Sequence, residues 1–309
     1  MDRILSVAQI IAPIFIAIAL GVYARKKSLF TPEEVRGLQQ FVIKFGIPCL
    51  LFNSCLTANV SAESLSTMIL LVPMVLLATI WSFHARKKAY PYHNFPQLFC
   101  AKETGMLGIP LFMILFGATE AYRMGVLDLA QGIVSIPVVS MLAATTGSKI
   151  SIGQMVKKLL TAPMLVFSIL GLVLNLTGIR DMLNSIGIGQ IITDSTTFLG
   201  QPVSALMLFT VGYNFSLGSG ARKTIFRISA IHFVMYVIIG IAIQLALFLV
   251  PNVDPLSRWA VAMYATLPAS YLAPAVGRTE EDISVASGVC SILSITSLLA
   301  FCVIAAFVV

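Results

Sequence analysis

Between Cys100 and Gly117 the chain reads CAKETGMLGIPLFMILFG, which sets Lys102, Glu103 and Thr104 inside a strongly apolar stretch. Charges, glycines and a proline do not fit one unbroken membrane helix. Pro110 lacks an N–H and clashes with the preceding turn, so a helix break is expected near Gly108-Ile109. Non-helical backbone at membrane depth survives only where it is buried in protein or faces a watery cavity. A half-helix starting there offers free N–H groups and the positive end of its dipole, and both favour an anion. The stretch MYATLPASYLAPAVG at 263–277 offers the same device around Pro268. Pro110 and Pro268 each suit the first position of a half-helix. Two such ends meeting near the membrane centre would hold a small carboxylate or other organic anion, and free carbonyls of the preceding half-helices a cation or water. The bland alternative is a pair of proline kinks healed by neighbouring helices.

The candidate substrate contacts are therefore Glu103, Thr104, Gly108, Ile109 and Pro110 on one side, with Thr266, Leu267, Pro268, Ser270 and Tyr271 on the other. Glu103 lies seven residues before Pro110, about two helical turns. A carboxylate at that depth costs energy unless paired, hydrated or protonated. It reads either as a proton-coupling or cation-binding group or as half of a fixed salt bridge to Lys102, Lys44 or another partner. Asp128 and Gln131 are three apart and share a helix face, as polar support for the break or as an interhelical hydrogen bond. Asn53 and Tyr213-Asn214 line the path from the other side or pack between helices. Lys44 reads as a snorkelling lysine, and Glu280-Glu281-Asp282 as a solvated helix cap.

These residues need a membrane to act in, and the composition supplies it. The 309 residues are 58% hydrophobic and 11% charged, where a soluble chain carries about 25% charged residues. Long apolar runs from end to end indicate an all-α polytopic membrane protein. The net charge of +7 sits in short clusters between apolar runs, which fits positive-inside loops better than nucleic acid. His84, His93 and His232 have no metal spacing, and no cofactor is implied. Cys49, Cys55, Cys100, Cys290 and Cys302 lie in apolar runs and read as small core residues rather than a disulfide framework. The first apolar run ends at once in Arg25-Lys26-Lys27, which fits a retained span better than a cleaved leader.

Ten spans follow, at about 6–24, 35–56, 65–83, 95–117, 121–145, 162–176, 188–215, 226–250, 256–276 and 283–309. Thr31-Pro32-Glu33-Glu34 reads as the cap of the second. A polar linker at 146–160 joins two halves, 1–145 and 161–309. Pro13 and Gly21 match Pro163 and Gly171, Pro48 matches Pro202, and Pro110 matches Pro268, at offsets of 150, 154 and 158 residues. Five spans per half make this an inverted repeat, 5+5, with helices 4 and 9 broken at their prolines. Basic clusters follow the odd-numbered spans, whereas Arg3, Arg123, Arg180 and Arg258 fall on the other side. That asymmetry puts both termini outside the cytoplasm.

With GMLGIPL at 105–111, ATLPAS at 265–270, Gly46-Ile47-Pro48 and the Pro163…Gly171 pair, the chain resembles the auxin efflux carrier family over essentially its whole length. That family includes bacterial permeases and plant PIN carriers. The resemblance implies helices 4 and 9 unwound and crossing at their prolines. It also implies a scaffold of helices 1, 2, 6 and 7, a moving domain of helices 3–5 and 8–10, dimerisation through the scaffold, elevator movement, and a bacterial inner (plasma) membrane setting. Many relatives carry an asparagine shortly before the first Gly-Ile-Pro, where this chain has Lys102-Glu103-Thr104. The expected function is secondary transport of a small organic anion, with proton or sodium coupling open. The alternatives are a sodium-coupled carrier similar to bile acid sodium symporters, a membrane sensor without flux, and an intramembrane enzyme using Ser219 and His232. No GxxxxGK[ST] loop points to an ATP-driven pump.

Overall fold

The computed structural model describes residues 2–58, 62–143, 153, 154, 157, 160–215 and 222–308. The chain is all-helical, 84% helix, with no strand among the described residues. The order is α1 (Asp2–Lys26), α2 (Pro32–Phe41), α3 (Ile47–Thr57), α4 (Ala62–Lys88), α5 (Gln97–Cys100), α6 (Ile109–Phe116) and α7 (Ala121–Ala143). After the linker come α8 (Pro163–Leu176), α9 (Ile179–Ser185), α10 (Ile188–Gly200), α11 (Val203–Asn214), α12 (Arg222–Leu247), α13 (Pro255–Thr266) and α14 (Glu280–Val308). Most of the 146–160 linker, with Lys149 and Lys158, lies outside the described residues, as does Ser219.

Among the described residues, six stretches are long and apolar enough to cross a membrane: Val7–Lys26, Pro32–Thr57, Ser66–Lys88, Ala118–Ala143, Arg222–Leu247 and Glu280–Val308. They correspond to expected spans 1, 2, 3, 5, 8 and 10. The others are in pieces. Span 6 is α8, bent by 78° into α9. Span 7 is α10 and α11, parted at Gln201 and Pro202. Spans 4 and 9 are interrupted where the polar residues lie. The outward faces of the long helices carry Ile69, Leu77, Ile238, Leu245, Leu299 and Val303, while Lys102, Gln97, Gln131 and Asp282 are buried. Apolar outside and polar inside is the arrangement that lipid demands.

Local chemistry explains the element ends. Thr31 and Glu34 form a reciprocal capping box, with Thr31 N–H donating to Glu34 Oε2 at 2.7 Å and Pro32 at the first helical position. The two Gly-Ile-Pro sequences do not break their helices. Each is entered through a wide turn, Val42–Gly46 and Thr104–Gly108, in which Ile47 N–H reaches Val42 O and Ile109 N–H reaches Thr104 O. An i→i+5 turn makes room for a proline ring that would collide with a regular α-helical turn.

Two groups of helices pack internally. α1 lies along α11, while α3 lies along α8 and α10; α4 packs on α7, and α12 on α13 and α14. The matched glycines sit at equivalent contacts. A Cβ on Gly21 would collide with Phe209 O and Tyr213 N, and one on Gly171 with Phe52 O and Leu56 N. Only glycine lets those backbones approach. At one end of the bundle Arg123 on α7 donates to Ser257 Oγ on α13 at 2.6 Å and Asp254 Oδ2 at 2.6 Å, fixing the two helix starts together. The five cysteines are free, with Cys49, Cys100 and Cys290 buried, in keeping with small core residues.

Candidate functional site

The break in span 4 lies at 101–103, seven residues before Pro110 rather than at Gly108-Ile109. Ala101 is extended, at φ −154° and ψ 149°, and helix resumes at Thr104. Span 9 is interrupted from Leu267 onward, beyond α13. The expected half-helix starting at Pro268 does not form: residues 267–273 are non-helical and only a 3-10 turn, Pro274–Val276, follows. Pro268 and Pro274 together remove the amides that a longer helix there would need.

The two interruptions meet. Lys102 and Ala269 form an antiparallel bridge. Glu103 N–H donates to Pro268 O at 2.9 Å, and Ser270 N–H to Ala101 O at 3.1 Å. Each segment thus satisfies backbone groups that the other's loss of helix set free, as buried non-helical backbone must. Gln131 on α7 completes the joint. Its Oε1 accepts from Lys102 N–H at 2.8 Å and its Nε2 donates to Lys102 O at 2.9 Å. Nε2 also lies 2.8 Å from Thr104 Oγ1 and 2.9 Å from Asp128 Oδ1, and Tyr264 donates its hydroxyl to Gln131 Oε1 at 2.9 Å. Thr104 Oγ1 donates to Asp128 Oδ1. Asp128 and Gln131 therefore stand at the break itself.

Consecutive side chains on an extended segment point to opposite sides, so Lys102 and Glu103 diverge. Glu103 caps the restarted helix: Oε1 accepts from Met106 N–H at 3.2 Å and Oε2 from Tyr271 N–H at 2.7 Å. Backbone amides, not Lys102 or Lys44, hold this carboxylate; Lys44 is exposed and donates to Gln40 Oε1 at 3.3 Å. On the other side the Lys102 ammonium donates to Ala265 O at 3.2 Å and stands 4.0 Å from the centroid of the Tyr236 ring.

The remaining expected residues divide. Leu267, Pro268 and Ser270 are buried at the joint, and Tyr271 hydrogen-bonds through its hydroxyl to Ser294 Oγ at 2.7 Å. Gly108, Ile109 and Pro110 are buried beyond the break; a Cβ on Gly108 would come within 2.7 Å of Leu267 Cδ1. Thr266 turns its hydroxyl to Met263 O at 2.9 Å in its own helix. Asn53 is bonded across to α10, with Nδ2 3.0 Å from Thr197 Oγ1, and Asn214 is exposed at the end of α11. The expected solvated cap is half right. Glu280 and Glu281 are exposed, but Asp282 is buried, accepting from His93 N–H at 2.9 Å and Thr279 N–H at 3.0 Å.

Lys102, Tyr236, Tyr264 and Met106 were missed as site residues. A lysine inside an apolar run was visible in the sequence; the ring and carbonyl that receive it lie more than a hundred residues away and gave no local signal. Among the described residues no group of three or more histidine, cysteine or acidic side chains is placed to hold a metal ion.

Residues 6–153 match the family described as "Membrane transport protein", the family of the auxin efflux carriers. No curated protein matches the chain.

Proposed function

We propose that the chain, an integral membrane protein whose residues 6–153 match a family of membrane transporters, is a secondary transporter of a small organic anion, with its cargo site at the joint of 101–104 and 267–271. The observation that carries this is the pair of converging amides. Met106 N–H and Tyr271 N–H, one from each interrupted segment, close on a single carboxylate, that of Glu103. A point that holds one carboxylate in charge-assisted hydrogen bonds is chemically suited to another. Thr104, Ser270 and Tyr271 supply further polar groups around it.

The architecture proposed is ten spans in two inverted halves, 1–145 and 161–309, with four spans in pieces. The equivalent Gly21 and Gly171 contacts support it, as do the pairing of α1 with α11 and of α8 with α3. Spans 1, 2, 6 and 7 form the scaffold of a homodimer, and spans 3–5 and 8–10 the moving part of an elevator. The most extensive helix contacts, α1 on α11 and α3 on α8 within one group and α4 on α7 and α12 on α13 within the other, support that division. Both termini lie outside the cytoplasm of a bacterial inner membrane, which the distribution of basic clusters supports.

The test is uptake of labelled small carboxylates into proteoliposomes, with protein-free liposomes as the control. Saturable uptake, competed by unlabelled carboxylates and not by matched neutral amides, is expected. Binding of a carboxylate without flux would replace the carrier by a sensor, and flux of neutral or cationic solutes alone would reject the anion.

A further inference from the structure

Lys102 is 2% exposed, and none of the ion pairs among the described residues involves it. The nearby carboxylates are engaged elsewhere. Glu103 is held by the Met106 and Tyr271 amides, and Asp128 by Thr104 and Gln131. What the ammonium faces is Ala265 O, in the last turn of α13, and the Tyr236 ring. The final carbonyls of a helix lack helical partners and carry its negative dipole end, so that position attracts a cation. The ring face adds to the attraction. Tyr236 is fixed in turn, since its hydroxyl donates to Phe99 O at 2.8 Å, and His232 lies against it with ring centroids 4.7 Å apart. A helix-end carbonyl backed by an aromatic face draws a cationic group, and here the chain places its own lysine there.

We propose that Lys102 is the resident cation of this carrier: its ammonium occupies the cation position at the end of α13, and cargo moves without a free alkali cation. For its second half the inference rests on the transport reading; for the site itself it does not. A sodium ion finds the carbonyl already taken and a positive charge already there. Truncation at position 102 opens the position to small ammonium ions, which combine charge, a donor for Ala265 O and an alkyl surface for the ring.

The test uses thermal unfolding of the purified full-length protein at constant ionic strength in sodium, choline or methylammonium chloride, with carboxylate uptake measured in parallel. Wild-type protein should melt within about 1 °C in all three salts. Lys102→Ala should melt lower, and methylammonium at about ten times its Kd should raise its Tm by about 3 °C over choline. Lys102→Met, whose apolar stem covers the position, should show no such rescue. Stabilisation of the wild type by sodium over choline would overturn the proposal, as would a Lys102→Ala protein equally stable in every salt. If Lys102→Ala does not fold, the wild-type comparison decides. The salt pattern holding while no carboxylate flux is found would refute the transport reading and leave the cation position standing.

Discussion

Gln131→Met should loosen the whole joint. Methionine keeps the volume and the unbranched stem, so little cavity is created, but it removes both halves of the clamp on the Lys102 backbone. The Lys102 N–H is then left buried without its partner, at a cost of about 1–3 kcal/mol, while the Lys102 C=O still accepts from Thr104 N–H at 3.0 Å. Thr104 and Asp128 keep each other, and Tyr264 loses its acceptor. Interhelical polar bonds in membranes average only about 0.6 kcal/mol, so the orphaned amide dominates and the total comes to about 2 kcal/mol. At about 2–4 °C per kcal/mol, Tm should fall by about 4–8 °C. The assay is thermal unfolding in detergent, with Gln190→Met as the control. Gln190 is exposed on α10 and bonded only to Asp194 Oδ1 one turn away, so its loss should stay within about 0.5 kcal/mol. A Gln131→Met protein that melts within 2 °C of wild type would show that the clamp does not hold the interrupted segments.

Gly21→Val and Gly171→Val should destabilise by similar amounts, at least about 2 kcal/mol, because both force backbones apart; tolerance of one and not the other, by thermal unfolding, would break the equivalence of the halves. Pro110→Ala removes the need for the wide turn at Thr104–Gly108, and relaxation to a regular helix turns the Glu103 end by about 100° against α6. That variant should insert and fold yet lose most uptake, and wild-type flux would contradict the role given to the turn. Cysteines placed at Lys87 and Lys223 in a cysteine-free background should react with impermeant maleimide only from the cytoplasmic side; labelling from outside would invert the topology.

Much of this fold is local chemistry, and that part could be read from the sequence. The apolar runs, the Thr31–Glu34 cap and the glycines at 21 and 171 act through neighbours or through a repeated spacing. The break itself was displaced because proline is an unreliable guide to it. A missing N–H at Pro110 is absorbed by one i→i+5 turn, as it is at Pro48. The place where helix stops is decided instead by distant partners, the Pro268 carbonyl and the Gln131 amide. The same holds for the charges: Glu103 and Lys102 are conspicuous in an apolar stretch, and a fixed salt bridge is one reading of Glu103, but nothing local names the groups that hold either. An extended backbone sends them apart to amides on one side and to a carbonyl and a ring on the other. Asp282 shows the converse. It sits in an acidic run that looked solvated, and its burial follows from a loop residue, His93, that reaches it from another part of the chain.

The most direct test of the joint is a disulfide between positions 102 and 269. The hydrogen bonds on either side, 103 to 268 and 270 to 101, make this a non-hydrogen-bonded antiparallel pair, with Cα atoms about 4.5 Å apart, within the range that a disulfide spans. In a protein freed of its five native cysteines, with a protease site in the 146–160 linker, Lys102→Cys/Ala269→Cys should oxidise so that the two halves stay joined on a non-reducing gel and separate on reduction. Halves that separate without reductant, while the folded double variant is otherwise intact, would mean that the two interruptions do not touch.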